Sequence, residues 1–231
     1  MTFTLFLEQA FNGFQAGITL FLIAAGLTLI LGIMDFVFLA HGSQVMIGAY
    51  AAASLTALTQ NFYLGILFAI PISFFAGYAL EYLVIRHLYK RDHMEQVLAT
   101  FGIIIFLNEL AKVLFGPATL TIATPEILSG SIQLTEQLRY PVYRLATIGV
   151  GLAMAIALFL TISYTRTGML IRAGSTTPEM VAALGVNIKQ LFRIVFGVGA
   201  MLAGFAGIIA APIFAIEPGM GDNILIIAFV V

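Results

Sequence analysis

Residues 166–193 read RTGMLIRAGSTTPEMVAALGVNIKQLFR, a hydrophilic stretch rich in basic residues between two long apolar runs. Its backbone polar groups would have no water partners in hydrocarbon, so the stretch is expected to project from a membrane rather than lie in it. Its middle carries the signals of a short helix. Thr176 or Thr177 can serve as N-cap, Pro178 suits the first turn, and Glu179 stands beside it. Gly185 then supplies a stop. A short helix held between two membrane spans could be a handle for a partner on one side of the bilayer. It could equally be a solvated connector with an ordinary cap.

The apolar runs on either side make this a membrane chain. Of its 231 residues, 61% are hydrophobic and 9% are charged, and the mean hydropathy is +1.07. Soluble domains carry about 25% charged residues, so lipid must solvate most of this chain. A span needs about 20 apolar residues. Runs of that kind occur at 11–33, 36–58, 62–85, 97–115, 145–164 and 191–214. Only Met34 and Asp35 part the first two, which predicts a tight hairpin or a partly broken second helix. The final run, ILIIAFVV at 224–231, is too short to cross. The expected fold is therefore all-α, a polytopic bundle of about six complete spans and a truncated seventh.

Orientation follows from the basic residues near the span ends. Arg86, Lys90 and Arg91 fall in one loop, and Arg166, Arg172, Lys189 and Arg193 in another, seven of the ten Lys and Arg in the chain. Two spans separate these loops, so both are expected in the cytoplasm. The N-terminus is then outside, and the segment 116–144 lies outside with it. Arg166 and Arg172 are expected to anchor their loop at the lipid headgroups.

Several residues could carry function. Gly199, Ala203, Gly207 and Ala211 recur every four residues in the sixth span, a small-residue ladder that permits close helix approach. Ionisable groups in spans are costly and should face protein, water or the interface. Glu109 and Lys112 stand three apart and can pair. Glu81 lies near the inner end of its span and is expected to reach the interface. His41, followed by Gly42 and Ser43, could cap a broken helix, line a pathway with Met46, relay a proton, or be a packed, hydrogen-bonded core histidine. Three histidines without ligand spacing do not make a metal site. The chain lacks cysteine, so disulfides and thiolate metal sites are excluded. It also lacks a phosphate-binding glycine loop, so it is not expected to hydrolyse ATP alone. No catalytic residue, cofactor or nucleic-acid surface is indicated.

Further motifs resemble the branched-chain amino-acid permease family of ABC importers. They are Gly26-Leu27-Thr28-Leu29-Ile30-Leu31-Gly32-Ile33-Met34, Ala40-His41-Gly42 and Met46-Ile47-Gly48-Ala49-Tyr50, then Ala99-Thr100-Phe101-Gly102 and Leu114-Phe115-Gly116. Thr165-Arg166-Thr167-Gly168, Arg172-Ala173, Ala182-Ala183-Leu184-Gly185-Val186-Asn187 and Ala203-Gly204-Phe205-Ala206-Gly207 continue the resemblance to near the end of the chain. It implies one transmembrane permease domain over 1–231, C-terminally truncated, in a bacterial cytoplasmic membrane. The implied partners are cytoplasmic ATP-binding subunits, a second homologous permease and an extracytoplasmic substrate-binding protein. Residues 166–190 then resemble the coupling loop to the ATPase, with Pro178, Glu179, Ala182, Ala183 and Gly185 as its docking residues. Met180 and Val181 stand where the family pattern has two small residues. The first, second and sixth spans are the expected pathway wall, with His41, Gly42, Ser43 and Met46 as candidates. The competing reading is an ion-coupled secondary carrier using Asp35 and His41.

Overall fold

A computed structural model describes residues 3–135 and 138–230. Among the described residues, nine α-helices run in the order α1 (Phe3–Met34), α2 (His41–Thr59), α3 (Phe62–Leu83), α4 (His93–Phe115), α5 (Val142–Tyr164), α6 (Arg166–Thr176), α7 (Pro178–Ala183), α8 (Ile188–Ala210) and α9 (Met220–Val230). Five helical stretches among them are long and apolar enough to cross a membrane: Leu5–Met34, Phe62–His87, His93–Phe115, Val142–Tyr164 and Ile188–Ala210. The chain is thus a polytopic helical bundle.

The bundle is centred on α8, whose apolar stretch is 72% buried against 11% for α5. It packs on α1, α2 and α3 through glycines. A Cβ on Gly207 would run into the Val45 carbonyl, one on Gly48 into the Gly204 backbone, and one on Gly199 would come 2.8 Å from the Gly26 carbonyl oxygen. Small residues let backbones meet, so dispersion contacts and not a water-driven hydrophobic effect hold these helices in lipid. In the small-residue ladder, Gly199 lies against α1 and Gly207 against α2. The Gly48–Gly204 crossing lies outside that four-residue period.

The second apolar run does not form one helix. Residues 35–40 are irregular, and α2 begins at His41, not at residue 36. Asp35 turns the chain with φ 48°, a left-handed conformation that Asp tolerates. The segment folds back into the bundle, where Phe36, Phe38 and Ala40 are completely buried. His41 sits beside Ile23, to which it is hydrogen-bonded. Ile23 is about 11 residues, or roughly 16 Å, back from the end of α1. Gly26 in the same turn touches Gly199, midway along α8. The α2 helix therefore starts at mid-depth. The helix α9 starts beside it, the backbones of Gly42 and Gly221 being in contact.

The bundle is all-α as expected, and the segment between α4 and α5 adds one small antiparallel element to it. That segment contains an antiparallel hairpin, β1 (Ser131–Thr135) and β2 (Leu138–Pro141), with an irregularity between Gln133 and Thr135. Tyr140 fixes it to α1: its ring lies 5.4 Å from that of Phe11 and its hydroxyl donates to Asn12 Oδ1 at 3.1 Å. A mutual pair of backbone hydrogen bonds, 2.9 Å each way, joins Leu120 to Ile216 beyond α8.

Candidate functional site

Three regions gather the polar and conformationally special residues: the mid-depth start of α2, the α6–α7 segment, and the end of the bundle where α3 meets α8.

At the first, His41 is fully buried, and its Nε2 donates to the Ile23 carbonyl at 3.0 Å. The imidazole also lies edge-on to Phe38 at 6.1 Å. Asp35 is exposed at the end of α1, at another depth, so the two residues of the carrier reading are not brought together. Gly42 is sealed against Gly221, and Met46 Sδ accepts the Gly219 N–H at 3.4 Å. His41 Nδ1, Ser43 Oγ and both amide atoms of Gln44 are buried without hydrogen-bond partners among the described residues. Such groups are expensive at mid-membrane and concentrate where polar solutes pass. Gln44 and Met46 also line a cavity of about 540 Å³ between α2, α3 and α4. Tyr50, Ile72, Leu80, Leu107 and Leu114 line it, almost wholly with hydrocarbon.

The second region is built by local signals. Thr165 caps α6, its hydroxyl accepting from Gly168 N at 3.1 Å. The Arg172 guanidinium donates to the Ile162 carbonyl in the last turn of α5. Arg172 thus closes a helix C-terminus, where a cation is favoured, rather than extending to a headgroup. Thr177 holds the N-cap position of α7 without a side-chain cap bond, while Thr176 Oγ1 bonds back to Arg172 O and belongs to α6. Pro178 occupies the first turn of α7 as expected, and Gly185 follows with φ +87°. The N–H of Val186 reaches the Val181 carbonyl and that of Gly185 the Ala182 carbonyl, the paired pattern of a Schellman stop. Pro178, Glu179, Ala182, Ala183 and Gly185 are all exposed. Val181 is buried and ties α7 to the bundle. Met180 and Leu184, one turn apart on the same face, are 65% and 81% exposed. Caps and stops alone do not reveal this outward apolar pair; its signal in the sequence is the four-residue spacing.

The third region overturns the expectation for Glu81. Its carboxylate does not reach an interface; it is buried and doubly bonded. The Arg193 Nε donates to Oε2 at 3.0 Å and the Tyr89 hydroxyl to Oε1 at 2.8 Å. Burial and the Glu81 carboxylate push the Tyr89 hydroxyl well above the usual phenol range, so it keeps the proton that it donates. The Arg193 guanidinium lies 4.7 Å from the ring centre of Tyr82 and 5.5 Å from that of Tyr78. Nearby, Gln96 Nε2 donates to the Leu88 and Arg91 carbonyls, and its Oε1 accepts from Val37 N. In contrast, Glu109 and Lys112 form an exposed pair at 2.6 Å, as their spacing predicts.

Comparison with known proteins adds the context for these sites. Residues 9–231 match the family model described as branched-chain amino acid transport system / permease component. The chain is 28% identical over 233 residues to the high-affinity branched-chain amino acid transport system permease protein LivH of Escherichia coli, covering 95% of this chain and 75% of the relative. It is also 28% identical to the corresponding permease protein BraD of Pseudomonas aeruginosa, covering 94% and 74%. A probable LivH of Methanocaldococcus jannaschii is 26% identical, covering 91% and 68%. No solved structure matches the chain.

Proposed function

Since the chain belongs to the branched-chain amino acid permease family, we propose that it forms one half of the membrane pathway of an importer for branched-chain or related small amino acids. It is the translocation subunit of an ATP-driven transporter and not an enzyme. The family match over 9–231 carries this reading. The full complex contains a second homologous permease, two cytoplasmic ATP-binding subunits and an extracytoplasmic binding protein, seated in a bacterial inner membrane. Reconstituted with these partners, uptake is expected to require ATP and to survive collapse of the proton gradient. Uptake that survives ATP depletion and stops with the gradient would instead identify a secondary carrier.

The helix α7 is the docking element for an ATP-binding subunit. What supports this is its exposure beyond the spans, with an apolar Met180–Leu184 face that lipid would not cover if the loop stands in water. The pathway runs past the α2 start, along His41, Gly42, Ser43 and Met46. There the unpartnered groups of Ser43 and Gln44 are available to a polar solute once α2 and α9 separate. On this reading, the contact between the Gly42 and Gly221 backbones keeps the pathway closed.

The orientation places α7 and the 86–92 turn in the cytoplasm and the β-hairpin outside, on the asymmetry of Lys and Arg. Single cysteines at Asp92, Ser129 and Thr176 test it in intact cells. An impermeant maleimide is expected to label the position at 129 alone. Labelling at 92 or 176 without labelling at 129 would reverse the topology.

A further inference from the structure

We propose that Glu81, Arg193 and Tyr89 form a rigid joint that carries movement of α7 into the mid-depth start of α2. This rests on the reading of α7 as the docking element. The residues are positioning residues; none touches cargo or nucleotide.

The connection is continuous. Only residues 184–187 separate α7 from α8, and Asn187 caps α8 by accepting from Gln190 N at 3.1 Å. Phe192 and Arg193 lie in the first turns of α8. Arg193 grips Glu81 at the end of α3, and the Glu81 carboxylate holds Tyr89 beyond that end. Tyr89 packs edge-on to Phe192 at 5.7 Å and to Phe36 at 6.0 Å. Phe36 opens the re-entrant segment. Within it Phe38 lies 4.8 Å from Phe196 of α8 and 6.1 Å from His41. A tilt of the first turns of α8 therefore pushes on the segment that holds the start of α2, from two sides.

Electrostatics makes the joint stiff. Both Glu81 oxygens are engaged and the carboxylate is buried. Sliding α8 past α3 would leave that charge unpaired in an apolar setting, which is strongly unfavourable. The Arg193 fork is further held against Tyr78 and Tyr82. Such contacts favour two discrete arrangements over gradual slip.

The test uses the complete reconstituted transporter. The readout is the ratio of ATP hydrolysis with cargo-loaded binding protein to hydrolysis without it. In the double variant Glu81→Gln/Arg193→Gln no charge is left unpaired. It is expected to assemble with normal subunit stoichiometry and basal hydrolysis, while the ratio falls about fivefold or more. Tyr89→Phe removes one hydrogen bond and keeps the ring; its ratio is expected to fall about twofold, with assembly unchanged. If the double variant does not assemble, Tyr89→Phe decides. Full coupling in Tyr89→Phe, or in an assembled double variant, overturns the joint. Gly185→Val separates the two readings. If it uncouples while the joint variants do not, the joint alone is wrong. If it remains coupled, α7 is not the docking element and the joint fails with it.

Discussion

Gly207→Leu is expected to abolish most of the folded, monodisperse protein recovered in detergent. Gly207 is buried in α8, and a Cβ there would enter the Val45 carbonyl, which is backbone and has no rotamer by which to move aside. Overpacking a close-packed site costs on the order of 1–3 kcal/mol where side chains can adjust. Here the helices themselves must part, which also opens the adjoining Gly48–Gly204 crossing. The control is Gly102→Leu on α4, where an added Cβ meets nothing within 4 Å. It inserts the same leucine into a helix in the same lipid, so it removes the effects of hydrophobicity and glycine propensity. Size-exclusion profiles of the two variants, purified together, give the comparison. Equal recovery would mean that the α2–α8 contact is dispensable.

The second large effect is functional. Gly185→Val is expected to leave membrane insertion intact and to reduce cargo-stimulated hydrolysis by about tenfold. Space is not the reason, since nothing lies within 4 Å of a Cβ at Gly185. The reason is the backbone: φ is +87°, where a β-branched residue is strained by about 1–3 kcal/mol. Relief of that strain unwinds the Schellman stop and lets Met180 and Leu184 turn away from their common face. Gly185→Asn separates torsion from side-chain bulk, because Asn tolerates the left-handed region. It should retain most of the stimulation. Hydrolysis and uptake at wild-type levels in Gly185→Val would leave 166–193 a solvated connector.

Several features are legible in the amino-acid sequence by itself. Membrane residence and most of the spans follow from run length alone, because in lipid each backbone group must be satisfied within its own helix. The start and stop of α7 at Pro178 and Gly185 are equally readable, since caps and turns are decided by a few neighbouring residues. So is the Glu109–Lys112 pair, whose geometry is set by one helical turn. For the pathway candidates the sequence offers residue types without a location; Met180 and Leu184 it offers without a face.

What only the tertiary structure decided involves partners far apart along the chain. Hydropathy records removal from water and does not distinguish lipid from the interior of a bundle, so Phe36, Phe38 and Ala40 read as the first turn of a span. They are instead a buried, non-helical segment that delivers His41 to mid-depth. The meeting of Gly42 with Gly221 and the gripping of Glu81 by Arg193 join residues with no shared local period. The pairing of β1 with β2 stands on Tyr140 and its contacts with α1, which no local pattern announces. Local chemistry specified most of the helices and both ends of α7. Packing between distant segments chose which helix is broken, which charge is buried and which glycines touch, because those outcomes depend on surfaces that exist only once the helices have assembled.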